Sequence, residues 1–342
     1  MEETVKKTLA TISLDELEKI GLLTTDVYSL LGQSQKEVTL LKAGEYVLPS
    51  FIDKFRTKGI ISFYCKEIFD SDEVSLWKSW WRQIEVSQSC DNYEEYKVRK
   101  EFIKKFKEIF FDGTCPASLL SYASVTHQLF SALSSDFMCQ YAEKNYLLFK
   151  RSILVASLSL PLVVSFGYSD IKFLKDIYNI TLLLSYHLAN DKFTVTIKNA
   201  LSLESMEKGL GIKYLTLKSP QEVQQLSNLN ETLSVSDVVY TYQFQQIKDL
   251  IVLYQMQLSN RDECEVSHDR DIPDWVSAVI FIDKIISYED FNFSPQDATG
   301  YLKKIIDEKY DQKFKKSFGF KKIRNLLSSF WGINFENKKM SA

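Results

Sequence analysis

KRSILVASLSLPLVVSFGYSD, residues 150–170, is the stretch on which the fold turns. From Ser152 to Ser169 it carries no charged side chain. Such a run is either a membrane span or a helix buried in protein. A span needs about 20 predominantly apolar residues. This run is interrupted by Ser152, Ser157, Ser159, Ser165 and Pro161, with Gly167 following. The interruptions favour a buried core helix and no membrane span. The surrounding chain agrees. From Pro116 onward helical periodicity dominates, with helices expected at 116–146, 147–166, 170–190, 194–208, 219–228, 235–258, 273–288, 294–308 and 318–332. Gly167, Gly209, Gly211 and the polar stretch SNRDECEVSHDRD (259–271) punctuate them, and the tail beyond Phe335 reads as frayed. Residues 116–335 therefore form a helical domain.

Upstream the pattern changes. Residues 1–70 hold short apolar stretches (DVYSLL, VTLLKAG, IISFYC) separated by turn-like segments. Ile60–Tyr64 reads as a strand. Ser50–Lys58 reads as a helix with Ser50 as its N-cap and Gly59 as its stop. This is a small α+β module. Residues 71–115 are an aromatic-rich helical linker. Trp77, Trp80 and Trp81 fall at i, i+3 and i+4, and Val98, Phe102, Phe106 and Phe110 follow four apart on a helix whose other face is rich in Lys and Glu. Such a segment either packs on its neighbours or offers a partner-binding or membrane-surface helix. The mixing of Glu with Lys favours packing or a protein partner over lipid. As a surface, its candidate residues are Trp77, Trp80, Trp81, Phe102, Phe106 and Phe110. The fold class is mainly α: a small α+β module, then a helical bundle.

The whole chain has 342 residues, 45% of them hydrophobic and 25% charged, with a formal net charge of −3. That length suits two domains with a core large enough to fold unaided. No basic excess points to nucleic acid. Cys65, Cys90, Cys115, Cys139 and Cys264 are scattered, odd in number and without a CxxC pair, as expected of reduced thiols in a cytoplasmic protein. The N-terminal MEETVKK has no apolar run behind it, so no signal peptide is expected.

Four stretches together resemble the HD-GYP family of metal-dependent phosphodiesterases, which hydrolyse cyclic di-GMP in a helical bundle. In IPDWVSAVIFIDKIISYEDFNFSPQDATGYLKKIIDEKYDQKFKKSF (272–318), Asp283 stands where the family ends a buried helix on a metal-binding Asp, and Ser294–Pro295 open the next helix. In 150–170, Ser152, Val155 and Ala156 match the family's His-Ser-x-x-Val-Ala, but Arg151 replaces the histidine. In FLKDIYNITLLLSYHLAND (173–191), Leu183–Leu184 are followed by Ser185 and Tyr186 in place of His-Asp. In 250–273, YQMQ and SNRDECEVSH replace the His-His-Glu and Gly-Tyr-Pro motifs. The N-terminal segment resembles a small module that precedes some HD-GYP domains, through Asp26, Tyr28, Lys42, Gly44, Lys58, Gly59 and Tyr64.

The resemblance implies a scaffold without its chemistry. A metal site of this kind needs imidazole and carboxylate ligands that lower the pKa of a bound water. The three histidines, His127, His187 and His268, match no ligand position. His127 reads as lying near a helix start with no evident partner, His187 as a hydrogen-bonded core or boundary residue, and His268 as solvated loop charge. No metal and no cofactor are expected. Arg151 and Asp283 should lie near one another at the former metal centre. No GxSxG, P-loop, GxGxxG or HExxH offers another catalytic kit. The expected function is a non-catalytic HD-GYP-like scaffold or regulatory module of bacterial signalling that binds protein partners. The alternatives are a cyclic di-GMP sensor that does not hydrolyse its ligand, and a hydrolase with unusual metal ligands.

Overall fold

The computed structural model describes residues 9–32, 36–65, 72–110, 116–133, 135–144, 146–184, 274–275, 277–279, 281–282 and 320–332. The N-terminal part is a four-stranded antiparallel sheet in the order β1-β4-β2-β3, formed by β1 (Ala10–Ser13), β2 (Val27–Leu31), β3 (Lys36–Leu41) and β4 (Ser62–Cys65). Two short helices, α1 (Leu14–Ile20) and α2 (Pro49–Arg56), accompany it. Helix α1 starts at a reciprocal cap. Ser13 Oγ accepts from the Glu16 N–H, and the Glu16 carboxylate accepts from the Ser13 N–H.

The α2 cap is a correction. Leu48, not Ser50, is the N-cap, and Pro49 takes the first helical position. Proline fits there because its fixed φ is helical and its missing N–H would have had no intrahelical acceptor. The chain leaves α2 through Gly59 at φ 72, a left-handed conformation that suits glycine. Phe51 and Phe55 of α2 then meet Phe63 of β4 at ring distances of 5.8 and 4.9 Å. The strand expected at Ile60–Tyr64 is thus present, two residues later at its start.

Three of the residues singled out in the N-terminal stretch, Asp26, Tyr28 and Tyr64, meet in space. Asp26 accepts from the Ala43 N–H at 2.8 Å and from the Tyr28 hydroxyl at 3.0 Å. Tyr28 pairs with Tyr64 across β2 and β4. Gly44 turns the chain at φ 81. These residues close a turn and hold a strand register.

Among the described residues the helical part comprises α3 (Asp72–Ser87), α4 (Asn92–Phe110), α5 (Pro116–Phe130), α6 (Ser135–Lys144), α7 (Tyr146–Ser165), α8 (Ile171–Leu184) and α9 (Phe320–Ser329), with further helical residues within 274–282. Helix α7 is the expected core helix: every residue from 151 to 165 is buried. It packs on α4, α5, α6 and α8, as a helix that is hydrophobic all round must. No single helix among the described residues is long and apolar enough to cross a membrane.

Pro161 sits inside α7 and cannot donate to the Ser157 carbonyl four residues back. The Tyr122 hydroxyl of α5 supplies that bond at 2.9 Å. Ser165 Oγ donates to the Pro161 carbonyl at 2.7 Å and accepts from Trp331 Nε1 at 2.8 Å, so the segment after α9 is fastened to the same helix.

The single helix expected over 116–146 is in fact two. Ser131–Leu133 leave the helical path. Asn179 of α8 explains the stop: its amide donates to the Phe130 carbonyl at 2.9 Å, and its Oδ1 accepts from the Ala132 N–H at 2.9 Å. A side chain 47 residues away therefore ends α5, and helical periodicity has no access to that contact.

The aromatic stripe of residues 71–115 needs a second correction. Trp77, Trp81, Phe102 and Phe106 are buried, at 2% exposure or less, in the same core as α5–α8. Trp77 meets Tyr122 at 4.8 Å, and Trp81 meets Phe130 at 4.7 Å. Trp80 is half-buried against Phe102. The Phe110 side chain lies outside the described residues. Trp77, Trp81, Phe102 and Phe106 form core, because edge-to-face ring packing buries large apolar areas. The outward face of α4 carries the charges.

Candidate functional site

The residues that the sequence sets at the heart of the bundle divide into two groups. Arg151 and Ser152 are described; Ser185, Tyr186, Asp283, His187, His268 and the YQMQ stretch lie outside the described residues. The expected proximity of Arg151 and Asp283 therefore has no geometry to report. Arg151 lies in the second turn of α7 and is 8% exposed. Its neighbour Ser152 shares a 2.7 Å hydrogen bond with the Tyr141 hydroxyl of α6. A buried guanidinium is a permanent cation and needs counter-groups or acceptors around it.

Beside this half of α7 runs the seam between the two parts of the molecule. An isolated antiparallel bridge joins Leu22 to Tyr46, flanked by hydrogen bonds from Leu23 N to Glu45 O (2.9 Å) and Val47 N to Gly21 O (2.8 Å). Extended residues alternate sides. Leu23 and Val47 face the core of the small module, whereas Leu22 and Tyr46 enter the helical core. Polar contacts reinforce the junction. Ser124 Oγ donates to Leu22 O at 2.8 Å, Gln128 Nε2 to Ile20 O at 3.3 Å, and the Tyr46 N–H to the Tyr146 hydroxyl at 2.7 Å.

Gly21 makes the seam possible. Its φ is +67, and a Cβ there would stand 2.9 Å from Cε2 of Tyr46. The ring can then reach Phe149 edge-on at 4.9 Å and His127 at 5.6 Å.

His127 has a partner after all. It lies in the last turn of α5 and not near a helix start, and its Nδ1 is 2.7 Å from the Tyr178 hydroxyl of α8. Burial holds its pKa down at about 4, so the imidazole is neutral near pH 7. Burial also pushes the Tyr46 phenol up to about 12 and those of Tyr122 and Tyr178 upward. The cluster is thus uncharged, and within it His127 Nδ1 and the Tyr178 hydroxyl serve as hydrogen-bonding partners. A histidine with a pKa near 4, held there by burial, is a weak base. Chemically this arrangement suits cohesion better than proton transfer.

Sequence reading missed this seam. Tyr46, His127 and Tyr178 belong to no motif and are joined only by the tertiary fold. The one available signal is that each sits within an apolar stretch, where a polar side chain needs a partner.

The donor set of the described residues bears on the metals that the resemblance implies. Arg151, which the resemblance sets where a ligating histidine would stand, carries a group that cannot ligate and that repels a cation. His127 spends Nδ1 on Tyr178. No group of three or more His, Cys, Asp or Glu able to hold a metal occurs among the described residues. The described residues do not fit a dinuclear metal centre. Comparison with known proteins returned no matching family model, no matching curated protein and no matching solved structure.

Proposed function

We propose that this chain is a non-catalytic, HD-GYP-like protein that acts by binding a protein partner. The observation that carries this reading is Arg151. It is buried in the central helix at the position where the resembled family places a metal-binding histidine. A fixed positive charge there opposes both cation binding and the generation of a metal-bound hydroxide. The seam supports the reading as well, because it joins the small module to the bundle by packing and neutral hydrogen bonds, as a platform for partners requires.

The test uses the purified full chain. Metal analysis, cyclic di-GMP hydrolysis and cyclic di-GMP titration calorimetry are measured side by side. The reading expects no stoichiometric iron or manganese, no hydrolysis and no micromolar binding. Stoichiometric metal with hydrolysis overturns it in favour of a hydrolase with unusual ligands. Micromolar binding without hydrolysis, abolished in Arg151→Ala and retained in Arg151→Lys, overturns it in favour of a nucleotide sensor.

A further inference from the structure

The outward face of α4 carries a pattern that neither the core nor the seam uses. Residues on a helix turn by roughly 100° each. Lys97, Lys100, Lys104 and Lys107 are spaced i, i+3, i+7 and i+10, so they form one row along the helix. The first three are exposed and Lys107 is half-buried. Glu94, Glu101 and Glu108 are spaced by sevens and gather on one flank of that row. Glu108 pairs with Lys105 at 3.4 Å, also off the row. None of the four row lysines makes an ion pair among the described residues. The lysines and glutamates that look interleaved in the sequence are sorted by the helix into a basic stripe and an acidic border.

Two tyrosines begin the stripe. Tyr93 is 72% and Tyr96 41% exposed. Tyr96 is held in place: Phe330 meets its ring edge-on at 5.7 Å, and the Lys100 ammonium lies 5.8 Å from its centroid. A fixed, exposed aromatic beside unpaired cations is what a protein interface uses as an anchor, since little side-chain entropy remains to be lost.

We propose that this face of α4 docks an acidic helical segment of a partner protein, one bearing Asp or Glu at i, i+3 or i+4 and i+7 with an apolar residue to meet Tyr93 and Tyr96. The inference rests on the protein-binding reading above and names the chemistry of its partner. Charge complementarity commits the face to this occupant. From Lys97 to Lys107 the row spans about 15 Å at 1.5 Å per residue, the length of a matching carboxylate row on a second helix. An anionic membrane is the weaker match, because an interfacial helix inserts an apolar face and the apolar face of α4 is already buried in the core. Nucleic acid is the weaker match too. The border of Glu94, Glu101 and Glu108 would meet phosphates, and the chain as a whole carries a net charge of −3.

The probe is a fluorescein-labelled 20-residue peptide, helical, with glutamates in one i, i+3, i+4, i+7 row and one leucine. Its binding to the full chain is followed by anisotropy at low and physiological salt. The expected result is saturable binding, weakened roughly tenfold or more by Lys97→Glu/Lys100→Glu/Lys104→Glu and severalfold by Tyr93→Ala, with circular dichroism unchanged. A charge reversal away from the stripe, Lys54→Glu on α2 with Lys58→Glu in the turn after it, should leave binding intact. The proposal is overturned if the stripe variant binds as well as the parent chain. It is equally overturned if a peptide of the same composition with glutamates scattered around the helix binds as tightly, or if anionic vesicles or a single-stranded oligonucleotide bind more tightly than the peptide. These outcomes stand apart from the non-catalytic reading. Hydrolysis of cyclic di-GMP with stripe-dependent peptide binding would sink that reading and keep the stripe; a partner captured equally by parent and stripe variant would do the reverse.

Discussion

The two parts of the molecule hold themselves together differently. The small module has a core of Ile12, Leu14, Leu17, Leu23, Val27, Val47, Ile52, Phe63 and Cys65. The helical part has a far larger one, built on α7 and on the rings of Trp77, Trp81, Phe102, Phe106, Tyr122 and Phe130. A domain of some 60 residues buries a smaller share of its surface and is correspondingly marginal. The module makes up for this by lending Leu22 and Tyr46 to the larger core. The comparison teaches that the seam belongs to the module's stability more than to the bundle's.

The largest effect expected is from Trp77→Ala. Trp77 is fully buried among Phe102, Phe106 and Tyr122, and removing such a ring costs about 3–5 kcal/mol. Thermal denaturation should show the bundle melting earlier and carrying the module with it. If the module keeps its sheet signal after the helices are lost, its dependence on the bundle is refuted.

Acid should act on the seam next. His127 has a pKa of about 4 in the folded chain against about 6.5 for a free imidazole. Between those values the unfolded state takes up a proton that the folded state refuses. Stability is therefore intact above about pH 6.5 and lost as pH falls toward 4, by up to about 3 kcal/mol for this group. Urea titrations at a series of pH values, compared with His127→Gln, measure the difference. Parallel curves for the two proteins would count against the buried neutral histidine.

Gly21→Ala sharpens the comparison. It places a methyl 2.9 Å from the Tyr46 ring at φ +67, and left-handed backbone plus a clash costs about 1–3 kcal/mol. Hydrogen exchange should quicken in residues 10–65 and stay slow in α7. Equal quickening in both parts would mean that the seam supports the bundle as much as the module. The smallest effect expected is from Tyr146→Phe, which removes the acceptor of the Tyr46 N–H. About 1 kcal/mol should be lost, visible as faster exchange at the Tyr46 amide.

Much of the architecture was legible before any coordinates. The serines and proline of 150–170 marked a buried helix, and α7 is one. The spacing of the tryptophans and phenylalanines placed them on shared faces, and they do share faces. Two features resisted. The end of α5 depends on Asn179, and the aromatic stripe turned out to be core. In both cases the deciding contact joins residues far apart in the chain. At the candidate site the legibility was lower still. Arg151 was named and is buried, yet His127, Tyr178 and Tyr46 were not assembled, because no spacing rule links them.

What the sequence by itself determined is local: which residues form helices and strands, and which faces are apolar. Periodicity carries that information because each element's geometry is set by its own backbone. Only the tertiary structure decided which apolar face meets which neighbour. It turned Trp77 and Trp81 inward against Tyr122 and Phe130, left the lysine row of α4 facing out, and joined the two parts through Leu22 and Tyr46, whose ring meets the buried His127 of the bundle. An amphipathic stripe states that it must be buried; the partner that buries it is chosen by the packing of the whole chain.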